Sequence, residues 1–510
     1  MHRLWVATGV LMLGWNLHGE VRPPAVAGGF YTANADELRA EVQRFLAAGT
    51  ARSQTPAALI VPHAGYVYSG ATAGKVFSAL RGARLTRVIM LGPSHRASFA
   101  GGALPGAGLK AFATPLGEMP LDTEAIESLR NQEELGGPTR AHDGEHCLEV
   151  ELPFLQETVG SVPIVPILVG AQTDRRTALG LARRLAPLVG PGVLVVVSSD
   201  FTHHGPSYGF SPFARDGGLV RRLEELGRAT AERAAAVDVR GFSAQVDVSE
   251  DTVCGARPIG VLLELLAHAF TGVGAVVDVT TSASVSHSSD MVVSYAGVLF
   301  GGSWGAWRED SGEPELGTLD HEEEKAALAL ARATLETYLD HGPALARWFS
   351  DHHVTGDLVA RSGVFVTIHN TGERAIREGR LRGCIGIIEA REPLVDAILH
   401  AAVSAAHDPR FSALQARELP GVTLEISVLS PMKQVAGADA IILGTHGVLL
   451  TKGGRSAVFL PQVATETGWD RATFLSHLSQ KAGLPADAWK QGATFQVFTA
   501  QVFGEEETRR

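Results

Sequence analysis

The chain is 510 residues long, 45% hydrophobic and 19% charged, with a formal net charge of -11. That composition suits a globular protein of two or three domains, and without a long basic block it argues against a nucleic-acid partner. The three cysteines, Cys147, Cys254 and Cys384, are far apart and form no CxxC or CxxxCxxC pattern, which argues against a disulfide framework, a structural zinc finger or an iron–sulfur motif of that type.

The first twenty residues, MHRLWVATGVLMLGWNLHGE, place Arg3 before an apolar run that ends near Leu17. The run is short for a membrane span and suits the apolar stretch of a signal peptide, with Gly19 as a cleavage position. Its basic end is weak and it lacks an A-x-A site. The expected location is therefore cytoplasmic, with export through residues 1–20 as the alternative and no stable membrane span in the mature chain.

From residue 21 to 302, apolar strands alternate with helical stretches. AALIVPH (57–63), TRVIMLGPSH (86–95), VPIVPILVG (162–170) and GVLVVVSSD (192–200) are near-continuous apolar runs that end in polar residues, as strands buried on both faces do. Helical segments such as DRRTALGLARRLAPLV and GLVRRLEELGRATAERAAAV lie between them. The alternation predicts an α/β sandwich with a largely parallel sheet, whose ligands sit outside the carboxyl ends of the strands.

The texture changes after Gly302. Residues 303–319 are rich in Gly, Pro and charge and read as a linker. The helix DHEEEKAALALARATLETYLDHG follows, with Asp320 as N-cap, Glu323 three residues on, and Gly342 past its end. Strand-like pieces GVFVTIHN, CIGIIEA, VTLEISVLS and GVLLTKGGRSAVFLP then mix irregularly with helices, which predicts a smaller α+β domain over 320–505.

His63, His95, Asp200 and His203 all stand at or just past the carboxyl ends of predicted parallel strands, so the fold logic puts them on one edge. Cys254 lies in the glycine-containing turn DTVCGARPIG, and Glu145 and His146 precede an amphipathic stretch. Imidazole and thiolate are ligands for zinc, copper or iron, whereas magnesium and calcium prefer oxygen. Two histidines and one anionic ligand with open positions suit a catalytic metal site better than a closed structural one. Taken singly, each residue reads more simply: a strand-end histidine is usually hydrogen-bonded scaffold, and a lone buried cysteine is a small hydrophobe. His142 and His204 read as bystanders.

The pieces RPPAVAGGFY, VPHAGYVYSG, LGPSH, EHCLEVELPFL, SSDFTHHG and TVCGARPI occur in that order over about residues 21–300. They resemble the Memo-like family, related in fold to the catalytic subunit of class III extradiol dioxygenases. The resemblance implies metal ligation by His63, His95 and Cys254, with Asp200, His203, Glu145 and His146 in the same pocket. The dioxygenase relatives hold ferrous iron with two His and a carboxylate. A thiolate in the third place departs from that pattern, admits copper as well as iron, and counts against catechol cleavage. Cys147 stands where many relatives have Ser.

LRGCIGIIEA (381–390), AAHDPRF (405–411), LEISVLSP (424–431) and GVLLTKGGRSAVFLPQV resemble the AMMECR-type domain. Glycines beside Cys384 allow close backbone approach to a ligand. Cys384 reads either as a nucleophile or redox thiol activated by Arg382, or as an inert residue of a tight strand turn. His407, Asp408 and Arg410 either line the same cleft or cap a loop. Families of these two types are grouped with a radical-SAM protein as the AmmeMemoRadiSam system, which implies such a protein as a partner.

Two functions follow as expectations. One is an iron- or copper-dependent redox enzyme acting on a small molecule or peptide, with His203 or His146 moving protons and Asp200 orienting a histidine or substrate. The other is a non-enzymatic metal-binding or adaptor protein with a peptide-binding cleft. Hydrolysis through a zinc-bound water is a weaker third. No nucleophile elbow, P-loop or GxGxxG fingerprint is present.

Overall fold

The computed structural model describes residues 20–309 and 317–505, apart from 53, 343, 353 and 355. The export-signal expectation lies outside the described residues, save for Glu20.

The first sheet has eight strands: β1 (Ala58–Val61), β2 (Arg87–Pro93), β3 (Gly102–Ala103), β4 (Ile164–Val169), β5 (Val193–Ser198), β6 (His203–His204), β7 (Phe270–Thr281) and β8 (Val292–Trp304). Their order is β7-β8-β1-β5-β2-β4-β3, with β6 paired to β8. The four apolar runs β1, β5, β2 and β4 are neighbours and parallel. Beyond them the sheet turns antiparallel, at β8 and β7 on one side and β3 on the other. It is therefore mixed, where a largely parallel sheet was expected. The connection from β7 to β8 spans only residues 282–291, too short for the crossover that parallel pairing needs.

Helices α1 (Tyr66–Phe77), α2 (Arg175–Leu185), α3 (Leu219–Ala235), α4 (Val239–Ser249) and α5 (Ala256–Ala269) accompany this sheet. The N-cap Asp174 accepts the Thr177 N–H, and Leu181 and Leu185 of α2 are buried, so an amphipathic face drives the packing. In α5, Pro258 sits in the first turn, where its missing N–H is not needed.

In the second region, α6 (His321–Asp340) has the full capping box of Asp320 and Glu323. It ends on His341, left-handed at φ 50°, with Gly342 just past the end as expected. Then come α7 (Ala344–Asp351), β9 (Gly363–Asn370), β10 (Leu381–Ile387), α8 (Leu394–Ala406), β11 (Val422–Leu429), β12 (Lys433–Val435), β13 (Gly447–Lys452), β14 (Arg455–Phe459), α9 (Arg471–Lys481), β15 (Thr494–Phe498) and β16 (Ala500–Gly504). They form two antiparallel four-stranded sheets, β10-β9-β11-β16 and β12-β15-β13-β14. The β13–β14 turn is Gly453-Gly454, both at positive φ (58° and 75°), as a two-residue hairpin turn demands.

Of the expected linker, Ser303 and Trp304 belong to β8, and residues 310–316 lie outside the described set. The cores are distinct but meet at α4: Ala244 and Val248 are buried among Leu330, Leu335 and Leu345 of the second region's core.

Candidate metal centre

β1 and β2 each end in a turn that carries a histidine. His63 is almost wholly buried. Its backbone N–H donates to Asp200 Oδ1 (2.9 Å), and its Nδ1 lies 2.8 Å from Ser198 Oγ. Ser198 Oγ donates to the Cys147 carbonyl (2.6 Å) and lies 2.9 Å from Glu151 Oε1. Burial pushes the Glu151 carboxyl well up; with its own proton directed at the Cys147 carbonyl, Ser198 Oγ can accept the His63 Nδ1 proton. That pattern assigns the free lone pair of His63 to Nε2. Burial, then the neighbouring His95 and His146, push the His63 pKa well below the ordinary imidazole value. The ring is neutral, the state a metal ligand needs.

Glu145 organises the next two rings. Its buried carboxylate accepts the backbone N–H of His95 (2.8 Å), His146 (2.8 Å) and Cys147 (3.2 Å). Oε1 also lies 3.0 Å from Nδ1 of His95 and 3.2 Å from Nδ1 of His146. Burial works to raise its pKa, but the bonds from His146 and His95 outweigh it, and the carboxyl sits far below the usual range. Both rings thus present Nε2, as a carboxylate–histidine–metal arrangement requires. The His95 and His146 rings stack at 5.0 Å, and each meets the His63 ring edge-on, at 5.3 and 5.7 Å.

One ring nitrogen from each of His63, His95 and His146 lies within 4.8 Å of the others, and atoms of His95, Glu145 and Cys147 converge to the same limit. Cys254 Sγ is 3.3 Å from His63 Nε2 and 3.4 Å from the Asp200 carbonyl. Burial pushes the Cys254 thiol well up. Cys147 is buried, with Sγ 3.2 Å from the Pro93 carbonyl.

Asp200 does not reach the rings by hydrogen bonds; its carboxylate holds the turn at His63. His203 lies at the rim, with Nδ1 2.8 Å from the Phe201 carbonyl and 3.0 Å from that of Thr252. His142 is buried, bonds through Nε2 to the Ala103 carbonyl (2.9 Å), and is pushed down to about 4 by burial. His204 is wholly buried on β6. Arg22, in the early motif, ties the 142–149 segment: it donates to the carbonyls of His142 (3.1 Å) and Glu145 and pairs with the buried Glu149 (3.2 Å). Sequence reasoning missed Ser198 and Thr252. Ser198 was visible as the first polar residue after VLVVV, but nothing in the sequence shows which ring it meets.

In the second domain, the Cys384 N–H donates to Asp408 Oδ2 (2.9 Å), and Arg410 donates to Asp408 and to the Cys384 carbonyl (3.2 Å). Arg382, expected beside the thiol, is instead buried against Glu418 (3.2 Å). Burial raises the Cys384 pKa, opposed by Thr367 and Arg410. His407 turns to the Tyr338 ring.

A mixed α/β sheet with imidazoles, a carboxylate and thiols gathered at its strand ends defines an α/β protein with groups able to bind a metal. Residues 22–299 match the Memo-like protein family and residues 328–503 match AMMECR1. The chain belongs to the Memo-like family and carries an AMMECR1 domain fused behind it. It is 33% identical over 291 residues to a MEMO1 family protein of Thermococcus onnurineus, covering 55% of this chain and 99% of that protein. A memo-1 homolog of Caenorhabditis elegans is 32% identical, over 55% of this chain and 82% of that one. Protein MK0488 of Methanopyrus kandleri is 40% identical over 195 residues, 36% of this chain and 90% of its own length. A crystal structure of the uncharacterized protein PH0010 from Pyrococcus horikoshii, 33% identical, covers 38% of this chain and 95% of that chain with a TM-score of 0.32. Among the described residues no helix is long and apolar enough to cross a membrane.

Proposed function

We propose that this chain is a metal-dependent redox enzyme, with iron or copper held by His63, His95 and Cys254 and a small molecule or peptide as substrate. The observation that carries the reading is the convergence of one ring nitrogen each from His63, His95 and His146 within 4.8 Å, with the Cys254 thiol 3.3 Å from His63 Nε2. The donor set of nitrogen and sulfur fits iron or copper better than an oxygen-preferring cation. The bound metal would supply one-electron chemistry and an open position for oxygen or substrate. Ser198 and Glu145 hold the rings in their ligating tautomers. His203, fixed through Nδ1, is placed to move a proton at Nε2. Asp200 sets the His63 turn. The proposal extends to an extradiol-dioxygenase type of fold for the first domain. It also extends to substrate binding or delivery by the second domain, with Cys384 beside it, and to a radical-SAM protein as partner.

One observation favours a second reading. His146, and not Cys254, is the third donor within 4.8 Å of the His63 and His95 nitrogens; with the Cys254 thiol beside His63, four protein ligands would make a closed site. That would suit a metal-binding or adaptor protein without turnover.

The test is metal content after anaerobic purification, in wild type, His63→Ala and Cys254→Ala. Near-stoichiometric iron or copper, lost in both folded variants, is expected. No metal in wild type after anaerobic reconstitution would sink the proposal.

A further inference from the structure

Cys254 reaches the centre by a different route from the histidines. His63 and His95 follow β1 and β2 in the middle of the sheet. Cys254 lies in the connection 250–255 between α4 and α5, so those two helices set its position. The connection is laced to the pocket at two points. The Gly255 N–H donates to Ser199 Oγ (3.0 Å), and Thr252 Oγ1 accepts the His203 N–H (2.8 Å) and donates to the His203 carbonyl (2.7 Å).

The helix before Cys254 is gripped from behind by the second domain. Helices α6, α7 and α8 all pack on α4, and Ala244 and Val248 of α4 are buried in that domain's core. His341, at the end of α6, places Nδ1 3.1 Å from the carbonyl of Ser249, the last residue of α4. Asp396 of α8 faces two arginines of the first domain. Arg240 of α4 is 3.9 Å away, and Arg175 donates to Asp396 (3.3 Å) and to Glu264 of α5 (3.0 Å). One carboxylate thus ties the helix before Cys254 and, through Arg175, the helix after it.

We infer that the AMMECR1 domain is the positioning element for Cys254: docked on α4, and tied to α5 through Asp396 and Arg175, it fixes the 250–255 connection so that the thiol meets His63. The inference rests on reading Cys254 as a ligand of the centre. The Thermococcus relative is matched over 99% of its length by about half of this chain, so this grip belongs to the fused protein and not to the first domain alone.

The test uses full-length, metal-free protein and reads alkylation of each cysteine by iodoacetamide, resolved by peptide mass spectrometry. Asp396→Arg sets a third cation against Arg175 and Arg240, Val248→Asp puts a charge into the shared core, and Asp396→Glu is the conservative control. Cys254 should label about tenfold faster in the first two variants and at the wild-type rate in the control, as for a locally released segment. Cys147, buried in the first core, should stay slow and so reports that the domain is folded. A Cys254 rate within about twofold of wild type in Asp396→Arg and in the combined Asp396→Arg/Val248→Asp variant overturns the inference. If the combined variant exposes Cys147, Asp396→Arg alone decides by the same bar. Because no metal is present, release of Cys254 with no metal in wild type would sink the metal reading and leave the positioning intact. Metal bound through Cys254 with unchanged labelling would do the reverse.

Discussion

Removing the charge of Glu145 should loosen the whole centre. Its carboxylate accepts three backbone N–H bonds and faces two ring nitrogens from a nearly dry position. Glu145→Gln keeps the shape, but one end of the amide must be NH2. Turned toward Oε1, that NH2 meets the N–H groups of His146 and Cys147 and both rings. Turned toward Oε2, it meets only the backbone N–H of His95, which is the lesser loss. One buried donor then faces a donor, a cost of about 1–3 kcal/mol. The rings also lose the charge that fixes their tautomer, and loss of a carboxylate behind ligating imidazoles lowers metal affinity by about 10–100-fold. Urea unfolding of the metal-free protein measures the first effect, and competition with a chelator measures the second. A variant within about 0.5 kcal/mol of wild type that holds metal equally well would refute the reasoning.

Asp251 is buried, and burial raises its pKa from 3.8 to about 6, against a hydrogen bond from Thr230 (3.3 Å). The folded state keeps this proton longer than the unfolded chain does. The group's stabilising contribution is therefore full below pH 3.8 and is lost as pH rises through about 6, a span of about 3 kcal/mol at most. Asp251→Asn should flatten that part of the stability–pH curve and raise stability at neutral pH; an unchanged slope would count against it. Gly255→Ala would set a Cβ 2.3 Å from both Cβ and Oγ of Ser199. At φ -91° the backbone is unstrained, so the cost is steric, about 1–3 kcal/mol. Thermal unfolding should show the loss, and Ser199→Gly should recover part of it.

The strand ends were legible because strands buried on both faces are unbroken apolar runs, and the polar residue that ends each run marks the sheet's edge. That alone brought His63, His95, Asp200 and His203 to one side. The partners of those residues were not legible, since each joins segments far apart in the chain. Nothing local to GVLVVVSSD says that Ser198 meets the His63 ring, or that Asp200 spends its carboxylate on a backbone N–H. Adjacency misled at Cys384. Arg382 is two residues away in sequence, but Glu418 claims it, and the nearby cation arrives from Arg410 on the loop after α8. The mixed character of the first sheet was hidden for the same reason: strand direction depends on connection length and pairing, and β7 and β8 read as strands either way.

The centre joins two kinds of donor, and the difference bears on how it works. The histidines stand on the turns that end β1 and β2 and on the short segment pinned by Arg22 and Glu149, so their positions are fixed by the first core. The thiol is carried between two helices and is raised in pKa by the same burial that keeps His63 neutral. Burial thus favours the uncharged form of both the His63 ring and the Cys254 thiol, while the Glu145 carboxyl behind the rings is held far below the usual range. In the proposed ligand set, binding a cation would expel the thiol proton, because a thiol ligates as thiolate. The donor that would lose a proton is the one carried between α4 and α5, and α4 is the helix on which the second domain packs.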